Sequence, residues 1–185
     1  MKRTINIGLA GAVALLLGGA ASAETLAEKT GVNEVLGVSP TTADFVNEVA
    51  RSDMFEIQSS ELAKQKAQGA TATFADRMIS DHAKTSNELN SLVRNGSVKA
   101  ALPSAIDDSH QKMLDKLRSL SGADFAKTYI DDQISAHKDA VNLFERYSKG
   151  GDSEPLKQWA AKTLPTLKEH LKMAQDLNRN RVASP

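Results

Sequence analysis

The 185-residue chain contains no cysteine. That excludes disulfides, thiolate metal ligands, a cysteine nucleophile and a lipid-modified cysteine anchor, so packing must supply the stability. Aromatic residues make up only 4% of the sequence, which favours close-packed helices with a core of Leu, Ala, Val and Ile over a sandwich of sheets. Neither sign of charge is in excess, since 23 basic residues face 23 acidic ones. Such a balance offers no broad basic surface for nucleic acid and no polybasic patch for anionic lipid. Three catalytic signatures are also missing: a glycine-rich phosphate loop, a His-Glu-x-x-His pair, and a serine in an elbow motif. The sequence therefore leans away from an enzyme.

What is present begins with an export pattern. Met1-Lys2-Arg3 precedes an apolar run from Ile7 to Leu17 and then Gly18-Gly19-Ala20-Ala21-Ser22-Ala23, the three-part form of a secretory signal with cleavage after Ala23. The run is too short to span a bilayer comfortably, so the expectation is a periplasmic or secreted protein without a membrane anchor after cleavage. Loss of Lys2 and Arg3 leaves 21 basic residues against 23 acidic ones, a formal charge of −2. About 160 residues remain, enough for one domain with a core of its own.

Residues 24–42 include Gly31, Gly37 and Pro40 and lack a sustained period, which predicts a flexible tether. Residues 43–178 carry four long apolar stripes at spacings of three and four, which predicts an all-α domain of antiparallel helices; residues 179–185 read as a disordered tail. Helix one, 43–68, is capped by Thr41 or Thr42 and ended by Gly69; it aligns Phe45, Val49, Ser52, Glu56, Ser59 and Ala63. Helix two aligns Phe74, Met78, His82, Thr85, Leu89 and Leu92 and stops at Asn95-Gly96. A short crossing helix then opens at Leu102-Pro103-Ser104, with Ser104 as its cap. Helix three, 123–148, aligns Ile130, Gln133 or Ile134, His137, Val141 and Phe144, with Phe125 and Tyr129 beside them. Helix four aligns Leu156, Trp159, Thr163, Leu167, His170, Ala174 and Leu177, and Pro165 is expected to bend it.

One polar, potentially ligating residue interrupts each long stripe: Glu56, His82, His137 and His170. In an up-down-up-down bundle the turns near Ala70 and Gly151 share one end, and the four residues lie 14, 12, 14 and 19 positions from those turns. At about 1.5 Å per residue the first three share a depth within about 3 Å, with His170 about 7 to 8 Å further along. Buried carboxylate and imidazole cost several kcal/mol if left unpaired, so the four must meet each other, water or a ligand. Their nitrogen and oxygen donors suit one zinc, copper, nickel or iron ion. A hydrogen-bond network that fixes helix register, and a pocket for an organic ligand, are the competing readings. Asp81, about 100° around the helix from His82, is expected to support the cluster as an outer acceptor, and Gln133 to orient the ring of His137 one turn on. His110 on the crossing helix has no matched partner and reads as a surface or packing residue. Trp159 and Tyr129 read as core anchors with polar tips.

Several segments together resemble the bacterial exported family of domain of unknown function 4142: Glu56-Ile57, then Phe74-Ala75-Asp76-Arg77-Met78-Ile79-Ser80-Asp81-His82. Leu120-Ser121-Gly122 leading to Phe125, Tyr129-Ile130, Gln133 and His137 follow, and Leu164-Pro165 leads to Leu167 and His170-Leu171. The resemblance spans about Asp44 to Leu177 and implies a ferritin-like antiparallel four-helix bundle and an exported protein associated with envelope stress. It also invites a di-iron reading, which requires Glu three residues before His on each of two helices. Here Ile79, Ile134 and Leu167 occupy those places. A di-iron centre is therefore not expected, and the alternative to a metal site is a structural or interaction module with protein partners and oligomeric state left open.

Overall fold

The computed structural model describes residues 36–183. The export segment 1–23 and most of the tether lie outside the described residues. The described residues form five long or short helices joined by loops, α1 Thr42–Lys66, α2 Gly69–Arg94, α3 Asp108–Ser119, α4 Gly122–Gly150 and α5 Glu154–Ala183, and no strand occurs among them. The chain is all-α, as its periodicity predicts.

Thr41 caps α1 by accepting a hydrogen bond from the Asp44 amide at 3.2 Å. The turn into α2 is only Ala67 and Gln68, followed by Gly69 at a φ of 58°, the left-handed region that glycine enters without steric penalty. Two of the expected boundaries move. The crossing helix begins after Asp107, not at Ser104, because Asp107 accepts hydrogen bonds from the amides of Ser109 and His110 and so caps α3. The last helix continues to Ala183 instead of fraying at residue 179; late polar pairs, such as Arg179 with Asp176 and Arg181 with Asn178, line its final turns.

The long helices pack as a closed ring of neighbours: α1 on α2, α2 on α5, α5 on α4, and α4 on α1. Helix α3 lies across α1 and α4. The apolar stripes meet in two separate cores. One gathers Phe45, Val49, Leu89, Phe144, Tyr147 and Trp159; the other gathers Ala63, Phe74, Met78, Phe125, Tyr129 and Ala174. Aliphatic side chains are numerous in both, yet all eight aromatics of the chain are buried. Scarce aromatics have been spent entirely on the interior, so the largest core volumes are rings and not the expected leucines. Between the two cores, every long helix buries polar residues.

Candidate metal centre

The polar layer takes Asp53, Glu56, Ser59 and Ser60 from α1, His82 and Thr85 from α2, Gln133 and His137 from α4, and Thr163 and His170 from α5. Glu56, His82, His137 and His170 are each at most 3% exposed. The structure thus brings together all four residues that the stripes single out. The three imidazole centroids form a near-equilateral triangle with sides of 5.6, 5.4 and 5.3 Å. His170 does not stand off from the others as the count from the turns suggests. Measured from the helix ends Gly69, Gly150 and Glu154, the histidines lie 13, 13 and 16 residues along, since Gly151 to Ser153 form a loop that adds little axial rise.

Each ring has one nitrogen held from behind. His82 Nδ1 meets Asp53 Oδ1 at 2.7 Å, His137 Nδ1 meets the Gln133 carbonyl at 2.9 Å, and His170 Nε2 meets Asp81 Oδ2 at 2.9 Å. The opposite nitrogens, His82 Nε2, His137 Nε2 and His170 Nδ1, are buried without a hydrogen bond, and so are both carboxylate oxygens of Glu56. Glu56 approaches His82 Nε2 at 2.6 Å, a close ion-pair contact, and His137 Nδ1 at 3.5 Å. One nitrogen from each ring lies within 4.8 Å of the other two. Donors around a tetrahedral ion at about 2.1 Å are about 3.4 Å apart, so the rings would have to draw together to share an ion; within the same 4.8 Å limit Glu56 groups with Asp53 and His82.

The electrostatics describe a Glu56 carboxylate facing one protonated ring and two neutral ones. Burial opposes charge on Glu56, but His137 and His82 override it and hold the carboxyl at about 2. Burial likewise opposes a proton on His82, yet Glu56 and Asp53 push its value up to about 10. Burial lowers His137, and burial together with the His82 charge pushes His170 down to about 4. Two rings are therefore neutral with a lone pair available, which is the form a metal requires.

Asp53 was not singled out by the sequence. It is 4% exposed, and besides His82 it accepts hydrogen bonds from Thr85 and Ser86 at 2.9 Å each. The signal existed: Asp53 precedes Glu56 by three residues and so shares its helix face. Asp81 reaches across to His170 on α5, and not to His82 beside it, because the rotation of about 100° between adjacent residues turns it toward the neighbouring helix. Arg77 pairs with the same Asp81 oxygen from outside. Gln133 holds His137 through its backbone carbonyl, while its side-chain amide donates to Ser59 at 3.2 Å. His110 is half-buried, paired with Asp107 and packed on Phe55 with ring centroids 5.0 Å apart.

A family model, Domain of unknown function (DUF4142), matches residues 27–177. The chain belongs to this family. No curated protein and no solved structure matches it. Within this DUF4142 chain, buried His, Glu and Asp side chains could hold a metal ion.

Proposed function

We propose that this DUF4142 protein is an exported, ferritin-like four-helix bundle that binds a single transition-metal ion through Glu56, His82, His137 and His170. The observation that carries the reading is that His137 Nε2 and His170 Nδ1, on rings whose other nitrogens are already fixed, are buried without a hydrogen bond beside the paired Glu56 and His82. Outer acceptors of this kind set the tautomer and orientation of ligating histidines and raise their basicity. Nitrogen and carboxylate donors suit zinc, copper, nickel or iron. The signal-like residues 1–23 support a periplasmic location, where a bundle of this kind serves the envelope under stress. Protein purified from the periplasm without an affinity tag, after growth in metal-supplemented medium, is expected to carry close to one metal ion per chain by elemental analysis. Content far below one per chain overturns the reading.

The 2.6 Å approach of Glu56 to His82 favours a second reading, an internal ion pair that fixes helix register in a structural module. That pairing leaves His137 Nε2 and His170 Nδ1 with nothing to bind, and for this reason the metal reading is preferred. A melting temperature indifferent to added metal and to chelator would support the structural module instead.

A further inference from the structure

The loop between α2 and α3 is pinned at both ends. Val98 is 2% exposed and its amide donates to the Leu92 carbonyl at 2.9 Å, Ala100 and Leu102 pack on the core around Phe45, and Asp107 caps α3. Held in this way, residues 101–105 face Asn47 and Arg51 of α1 across a pocket of about 310 Å³. Arg51 is the one cation lining that pocket, and no acidic side chain lines it. The Arg51 guanidinium is half-buried and forms neither an ion pair nor a hydrogen bond with any described residue, whereas Arg77 meets Asp81 and Arg118 meets Asp115. Its Nε is buried outright. A guanidinium stays protonated throughout the pH range of a folded protein, so a buried N–H on it without an acceptor costs free energy that an incoming oxygen would recover. Ser104 adds a hydroxyl that bonds to no described residue, since Asp107 takes the capping role instead.

We propose that this pocket binds a small carboxylate with a short apolar body, its two oxygens received side-on by the Nε edge of Arg51. The charge argues for a single carboxylate, because one guanidinium balances one negative charge and a phosphate dianion would exceed it. The walls argue for the body. Ala101, Leu102, Pro103 and Ala105 offer hydrocarbon, while Arg51 supplies paired donors in a fixed fork that matches a carboxylate, and Ser104 supplies a further hydroxyl. Arg51 precedes Glu56 by five residues, about 140° around α1. The pocket is therefore separate from the polar layer and does not depend on the metal-binding reading.

The test is a titration of metal-free, isotope-labelled protein with butyrate, followed by NMR of the backbone amides and of the Arg51 Nε–H group. Shifts at Arg51 and at the amides of Ala101, Leu102, Ser104 and Ala105 should saturate in the millimolar range. Arg51→Gln should abolish the saturating shifts, and Arg51→Lys, which keeps the charge but not the fork, should weaken binding about tenfold or more. Inorganic phosphate should bind more weakly than butyrate. Shifts that stay linear, that survive Arg51→Gln or that centre on the polar layer around Glu56 overturn the site. Phosphate binding as tightly as butyrate overturns the carboxylate assignment. Should Arg51→Gln fail to fold, the wild-type shift map decides alone, because saturation at Arg51 and the loop supports the site and saturation elsewhere overturns it.

Discussion

Asp53 shows how a residue outside the coordinating set can govern it. Its carboxylate holds His82 Nδ1 and is itself held by Thr85 and Ser86, so the ring cannot turn without breaking a buried hydrogen bond. Asp53→Asn is expected to weaken zinc binding by about 10- to 100-fold, read by competition with a chromophoric chelator; unchanged affinity would remove Asp53 from the positioning role. Protons report on the same layer in metal-free protein. His82, raised to about 10 from 6.5, contributes stability that is complete below pH 6.5 and is lost as pH rises toward 10. Glu56, lowered to about 2 from 4.5, contributes fully above pH 4.5 and is lost as pH falls toward 2. His170, lowered to about 4 from 6.5, acts with Glu56, because the fold favours its neutral form and loses stability as pH falls from 6.5 toward 4. Urea midpoints measured in chelator should therefore peak near pH 6.5 and decline on both sides. A midpoint still climbing at pH 9 would show that His82 is not charged in the folded state.

At the scale of single helices, local chemistry decides where each segment stops. Asp107 caps α3 with two amide hydrogen bonds and also holds His110. Asp107→Ala should cost about 1 kcal/mol, a fall of about 2 to 4 °C in the melting temperature of a protein this size. Gly151 closes α4 for a different reason from the one usual at helix ends. Its φ is −62°, which any residue adopts, but a Cβ there would lie 2.6 Å from the Tyr147 ring. Gly151→Ala should therefore destabilise by displacing Tyr147, whose ring stacks on Phe45 at 4.1 Å in the core that also holds Phe144 and Trp159. Calorimetry on the two variants checks both, and a Gly151→Ala melting temperature equal to wild type would show that the crowding costs nothing. The apolar periods were legible for all four long helices, since each buries a stripe on the core. The start of α3 was not: Ser104 reads as the cap because its hydroxyl suits the role, and only the loop geometry shows that Asp107, three residues on, takes it.

Across the whole molecule, the buried polar layer separates two dry cores. A bundle built this way holds together at both ends while the middle carries unbonded donors and acceptors, an arrangement that is costly until a ligand fills it. Saturating zinc at about 100 times its Kd should add about 2.7 kcal/mol to folding stability. That corresponds to a rise of roughly 5 to 10 °C for a chain of this length. Chelator should reverse the rise, and His137→Ala should abolish it while still folding.

The sequence by itself determined the helical class, the four interrupted stripes and the identity of the residues that break them, because helix period and side-chain chemistry are local properties. It also determined that no di-iron signature is present, since that depends on spacing within one helix. Only the tertiary structure decided that His170 stands level with the other rings and that Asp53 and Asp81 brace rings on other helices. Those relations depend on the axial offset and rotation of one helix against another, which are set by packing across the bundle and leave no period along the chain.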